Sequence, residues 1–236
     1  MIYYYSDIMK KVKEFLNKYL IWIVLIIALF LFLFIVRAIF SDSIKEFDNA
    51  IYNYVKVLIN PKLTFVIRII TELGNYFVMI PIIIIFYIFN KDKSFNKYFT
   101  INLVAVFVSN VIVKNIIGRT RPSDINLIIE TGFSFPSGHS MVSFAFYGFL
   151  AYYIYHMPSA KSIRYLLICL CALIIFLIGF SRIYLGVHYA SDVIGGFLLA
   201  IVYLILFINF IYKREEKKKE LLWLHFIIRS HNSFSI

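Results

Sequence analysis

Cysteine is nearly absent: Cys169 and Cys171 are the only two in 236 residues. They stand two apart inside an apolar run and point to different sides of a helix, so neither a disulfide nor a metal site is expected from them. Charge is scarce as well. Asp, Glu, Lys and Arg make up 16% of the chain, where soluble domains carry about 25%. A soluble globular domain is therefore excluded. No internal repeat is visible, and no Gly/Ser-rich linker splits the chain into domains. A cleavable leader is not expected either: the first apolar run exceeds the roughly 7–15 residues of a signal peptide and lacks a small-residue cleavage site.

What is present is apolar. Hydrophobic residues make up 61% and aromatics 19%, with 25 Phe and 18 Tyr, a composition suited to lipid-facing and interfacial surfaces. Apolar runs at 20–40, 74–89, 99–117, 141–155, 164–180 and 193–212 predict an all-α, polytopic membrane bundle of six transmembrane helices. Between the first two, Ile44, Phe47, Ile51, Tyr54, Val55 and Leu58 recur at helical spacing up to Pro61, and a second short apolar segment runs on to Leu73. Amphipathic helices lying on the membrane surface give that pattern, and so does a loop folded over the bundle. The expected organisation is a cytoplasmic segment 1–19, a six-span domain 20–212 and a basic tail 213–236. Within that tail, Leu221 to Ile228 is too short to span and is expected to adsorb to the membrane surface.

The net charge of +11 is topological rather than a sign of nucleic-acid binding. The termini and the 90–99 and 156–164 loops carry 15 Lys and Arg, against eight on the other side of a six-span layout. The positive-inside rule then puts both ends in the cytoplasm of a multi-pass cell-membrane protein. Half of the eight outward cations, Lys114, Arg119, Arg121 and Arg182, fall in two short stretches, and cations beside membrane helices are costly and usually functional.

Three polar stretches share the outer side. In Ser181 to Asp192, His188 and Asp192 are four apart, so a helix from Tyr189 onward would let Asp192 fix the tautomer of His188 and leave the other ring nitrogen free to attack. Arg182 is suited to gripping an oxyanion. A second stretch holds Lys114, Arg119, Arg121 and Pro122. The third is Phe135 to Ser140, where Gly138 permits close backbone approach and a helix starting near Ser140 aims N–H groups at an anion. A tetrahedral phosphate suits this set.

Lys114…Arg121-Pro122, Pro136-Ser137-Gly138-His139 and Ser181-Arg182…His188…Asp192 together resemble the three-part signature of the type 2 phosphatidic acid phosphatase (lipid phosphate phosphatase) family, which is related to vanadium haloperoxidases. The resemblance implies that His188 is a nucleophile forming a phosphohistidine, that Asp192 orients it, and that His139 is the general acid and then the base. Lys114, Arg121, Arg182, Ser137 and the Gly138 N–H would hold phosphoryl oxygens, with Arg119 as a possible further ligand. It implies no metal and no other cofactor. The expected function is a membrane phosphatase acting on lipid phosphates or diphosphates at the extracytoplasmic face. A phosphotransferase using the same residues is the alternative. A phosphate-binding transporter is disfavoured, because binding alone needs no oriented nucleophile.

Overall fold

A computed structural model describes residues 2–123 and 126–217, with side chains from residue 19 onward. The expected membrane-adsorbing segment 221–228 lies outside the described residues. Among these, helices α1 (Ile2–Phe40), α2 (Lys45–Lys56), α3 (Pro61–Glu72), α4 (Tyr76–Phe89), α5 (Lys93–Ile117), α6 (Gly138–His156), α7 (Lys161–Tyr184) and α8 (Ala190–Leu206) follow one another with no strand between them, and a π-helical turn, Phe207–Tyr212, extends α8. The helix starts follow local chemistry. Asn60 caps α3 ahead of Pro61 by accepting from the Leu63 N–H at 3.0 Å, and Asp92 caps α5 through the Phe95 N–H at 2.9 Å.

Helix α6 is the centre of the bundle and packs against α5, α7 and α8, while α1 runs along α8 and α3 along α7. Ala145, Phe146 and Phe149 of α6 are fully buried in the main core with Phe95, Phe99 and Phe207. The outward faces are apolar too: Phe30 and Phe34 on α1 and Phe89 on α4 are each at least 60% exposed. With no water-facing role to explain them, such surfaces belong against lipid. The protein is membrane-embedded.

The span count differs from the sequence reading. Residues Tyr19–Phe40, Lys93–Ile117, Lys161–Tyr184 and Ala190–Lys217 are each long and apolar enough to cross a bilayer alone. The 14 residues of α4 reach only about 21 Å, short of a hydrocarbon core of about 30 Å. They qualify only together with α3, to which they are joined by a 48° bend. Segment 61–73, expected on the membrane surface, thus joins α4 in a bent pair that has the geometry of a broken span or a re-entrant loop. Helix α6 is less apolar than these because His139, Ser140, Ser143 and its tyrosines dilute it; Ser140, Ser143 and Tyr147 are buried inside the bundle. The amphipathic α2 packs on α7 and α8, which favours the loop folded over the bundle.

Candidate active site

Three chain reversals at one end of the bundle bring the polar stretches together. Helix α5 stops at Gly118, whose φ of +66° permits a left-handed turn and whose N–H closes on the Lys114 carbonyl at 3.0 Å. The following loop returns through Ser134, whose N–H donates to the Arg119 carbonyl at 2.7 Å, and enters α6 at Ser137. The Ser137 hydroxyl caps α6, accepting from the Ser140 hydroxyl at 2.9 Å and, more weakly, from its N–H at 3.4 Å. Helix α6 begins at Gly138 rather than near Ser140, so the Gly138 and His139 N–H groups already lie in its first turn. A Cβ on Gly138 would sit 3.1 Å from Asn110 Oδ1 and 3.9 Å from Lys114 Nζ. The absence of that atom lets α5 lay the Lys114 ammonium over the start of α6.

His188 lies in the turn ahead of α8 rather than on a helical face with Asp192, so the expected one-turn stacking is replaced by a tighter local network. Asp192 Oδ2 accepts from the Tyr189 N–H at 2.8 Å and from the Ser134 hydroxyl, and faces His188 Nδ1 at 3.4 Å. Ser134 Oγ is 3.3 Å from the same Nδ1. On its other edge, His188 Nε2 is 3.1 Å from Arg121 Nη1. A guanidinium has donors only, so Nε2 must be the unprotonated nitrogen and Nδ1 carries the proton. The imidazole is 2% exposed. Burial pushes its pKa down to about 4, against the opposing pull of Asp192, so it is neutral at pH 7.

The expected phosphate-binding cations do converge. Arg121 is held by three carbonyls, of Gly132, Thr131 and Val187, at 3.1, 3.1 and 2.8 Å. Arg182 is 1% exposed; its Nη1 donates to Thr71 at 2.7 Å, its Nη2 pairs with Glu130, and its Nε is buried without a partner. Lys114, Gly138 and His139 line one groove of about 830 Å³ whose remaining walls are mostly apolar side chains of α4 and α5, such as Ile83 and Phe107. His139 also packs on the α3–α4 bend, with its Cδ2 3.0 Å from where a Cβ on Gly74 would stand.

Arg119 stands apart from the phosphate ligands. Its Nη1 donates to Asp192 Oδ1 and its Nη2 to Asp48 Oδ2, each at 2.7 Å, so its guanidinium braces a carboxylate instead of facing a substrate oxyanion. Asp48, buried on α2, further accepts from the Ser191 N–H at 2.8 Å and from its hydroxyl at 2.7 Å. Sequence reasoning missed Asp48, Ser134, Glu130 and Thr71. Asp48 did leave a trace, since it falls at helical spacing between Ile44 and Ile51, within the apolar stripe. Ser134 and Thr71 left none.

The chain resembles known proteins in sequence and in fold. The sequence pattern of the PAP2 superfamily matches residues 95–216. Phosphatidylglycerophosphatase B of Bacillus subtilis (strain 168) is 33% identical over 195 residues, 75% of this chain and 89% of that protein. Undecaprenyl-diphosphatase of Sulfolobus acidocaldarius is 25% identical over 196 residues, covering 78% of this chain and 87% of its own length. The crystal structure of a transmembrane PAP2-type phosphatidylglycerolphosphate phosphatase from Bacillus subtilis superposes with a TM-score of 0.73 at 30% identity, over 82% of this chain and 96% of that one. A buried histidine backed by a carboxylate and faced by an arginine therefore has relatives that share its fold and bear phosphatase names: the chain belongs to the PAP2 superfamily and is a lipid phosphoester hydrolase.

Proposed function

We propose that the protein hydrolyses lipid phosphate monoesters or diphosphates at the extracytoplasmic face through a phosphohistidine on His188. The observation that carries this reading is the orientation of the ring: Nδ1–H toward Ser134 and Asp192, and the Nε2 lone pair toward Arg121. Nε2 attacks phosphorus, and the bond to the lipid oxygen breaks as His139 protonates that oxygen. His139, now neutral, takes a proton from water, whose oxygen attacks the phosphohistidine and returns Nε2 as free orthophosphate forms. Lys114, Arg121, Arg182 and the N–H groups opening α6 meet the charge on the phosphoryl oxygens. Ser137 supports the site as the cap of α6, and Asp192, clamped by Arg119, holds the tautomer of His188.

The groove between α4 and α5 supports the lipid assignment, since its apolar walls end at Lys114 and His139. A tail would lie along Ile83 and Phe107 with its phosphate at the polar end. Counting α1, the bent α3–α4 pair, α5, α6, α7 and α8 gives six crossings of one domain over 20–212. The 15-to-eight Lys/Arg asymmetry favours cytoplasmic termini and an outward site. Phosphatidylglycerophosphate, phosphatidic acid and undecaprenyl diphosphate are the substrates of choice. The test is phosphate release by purified protein in detergent across that panel. Release from at least one, abolished by His188→Ala, is expected, and no release from any would end the proposal.

A further inference from the structure

Glu130 is a carboxylate among the cations that would hold the substrate. Its Oε1 pairs with Arg182 Nη2, and its Oε2 stands 3.8 Å from Arg121 Nη2. The side chain is 28% exposed, and it lines the groove beside Lys114 and His139. It therefore stands between the apolar channel and the two guanidinium groups. Arg182 has a further donor, Nε, buried and unpartnered, so Glu130 satisfies that guanidinium only in part.

We infer that Glu130 is a built-in competitor for the phosphoryl group, filling the cation site when it is empty and yielding when a phosphate enters. This rests on the reading of Arg121 and Arg182 as phosphoryl ligands. A carboxylate brings two oxygens and one negative charge, whereas a phosphate monoester brings three oxygens and up to two charges, so the incoming group wins both guanidiniums. Glu130 sits on a stretch pinned on either side by the Leu127 N–H on the Leu185 carbonyl at 3.0 Å and the Ser134 N–H on the Arg119 carbonyl at 2.7 Å. Rotation of its own side chain suffices to clear the site while the loop stays in place. The same competition acts on orthophosphate after hydrolysis, when Glu130 re-pairs with Arg182 and speeds release of the product. The residue thus sets KM and product inhibition rather than the chemical step.

Binding of inorganic phosphate to the full chain in detergent, followed by isothermal titration calorimetry, tests this without reference to turnover. Glu130→Gln keeps the shape and removes the charge. Taking one negative charge from within a few ångströms of the bound anion should tighten phosphate binding at least about tenfold, with orthophosphate inhibition of turnover tightening in parallel. Unchanged or weaker binding would overturn the inference and make Glu130 a brace for Arg182. Should Glu130→Gln fail to fold, Glu130→Asp serves instead. Its shorter arm cannot reach both guanidiniums, so it should also bind phosphate more tightly than the native chain, and weaker or equal binding refutes the idea equally. Arg182→Ala should abolish binding, and phosphate binding that survives it would place the anion elsewhere and overturn the inference. Tighter phosphate binding in Glu130→Gln, in a chain that hydrolyses no lipid phosphate, would sink the enzymatic proposal and leave this one standing.

Discussion

Replacing Gly196 by alanine should slow catalysis from a position that touches no substrate. Gly196 lies on α8 against the first turn of α6. A Cβ there would sit 2.9 Å from the Ser137 carbonyl oxygen, 3.1 Å from Ser140 Cβ and 3.3 Å from the Met141 nitrogen, where ordinary contacts begin at 3.4 Å. These atoms are backbone or bonded directly to it, so no rotamer change relieves the overlap. The start of α6 must back away by roughly half an ångström, carrying Gly138 and His139 with it. Overpacking of this kind costs about 1–3 kcal/mol of stability. Since a misplacement of about 1 Å costs around 10²-fold in rate, half of that displacement should cost about tenfold in kcat. Initial rates on a lipid phosphate in micelles, with thermal unfolding in parallel, supply the measurement. Gly148→Ala is the control: it lies on the same α6–α8 contact, but the one overlap is with Leu204 Cδ2, at 2.9 Å, the free end of a side chain, and Phe144 stays at ordinary contact distance. It should keep its kcat. A Gly196→Ala enzyme with native kcat, or a Gly148→Ala enzyme equally slow, would refute the reasoning.

Other expected outcomes follow from the same geometry. His188→Ala should be inactive on every substrate, whereas His139→Ala should lose about 10²–10⁴-fold on phosphatidic acid and far less on nitrophenyl phosphate, whose leaving group needs little protonation; equal losses would reassign His139 to phosphate binding. With His188 held near pKa 4 when folded and about 6.5 when unfolded, the unfolded chain binds more protons between those values. Stability should therefore fall on the order of 3 kcal/mol as pH drops from 6.5 to 4 and level off below, and His188→Gln should abolish that component in pH-dependent unfolding. Asp48→Ala strips Arg119 and Ser191 of a buried partner and should cost about 3–5 kcal/mol, lowering kcat more than it changes KM; a native melting temperature would contradict the brace. In a chain with Cys169 and Cys171 replaced by alanine, a cysteine at the exposed Ser123 should react with a membrane-impermeant thiol reagent in intact cells, and one at the exposed Ser159 should not; the reverse pattern would put the site in the cytoplasm.

The candidate site residues were legible because they are few, polar and set in an apolar chain, where each charge stands out. Lys114, Arg121, His139, Arg182, His188 and Asp192 needed no tertiary information to be singled out. The wiring between them was not legible. That His188 precedes α8 instead of riding on it depends on Gly186, whose φ of +72° turns the chain out of α7, and on the Tyr189 N–H claiming Asp192 Oδ2. Arg119 looked like one more phosphate ligand because spacing alone cannot say which way a guanidinium points. Its direction is set by Asp48, 71 residues away in sequence. The place of α3 was hard to read for a related reason. Hydropathy sees composition, so α3 with its Lys62, Arg68 and Glu72 read as surface-lying, although it packs on α7 and meets α4 at a 48° bend, and only the two together are long and apolar enough to cross.

The charges of the site explain why so many ionised groups are tolerated together at a membrane edge. Asp48 and Asp192 share Arg119, and Glu130 shares Arg182 and, at longer range, Arg121. Burial alone would raise the Glu130 carboxyl, but the arginines outweigh it and hold it below the usual carboxylate range. Leaving the histidines out of the count, three carboxylates face four cations, including Lys114, and the site keeps an excess of positive charge. A buried charge left unpaired costs several kcal/mol, so a cluster of three unopposed phosphate-binding cations would destabilise the empty protein. The sign of the excess still favours an anion. Arg119 belongs to the permanent half of this arrangement, since its two carboxylates are buried and fixed. On the proposed reading, Lys114, Arg121 and Arg182 form the exchangeable half, where the one partly exposed carboxylate, Glu130, gives way to a phosphoryl group. If that reading holds, fold stability and substrate affinity draw on separate ion pairs, and a site that takes a dianion can stand folded without one.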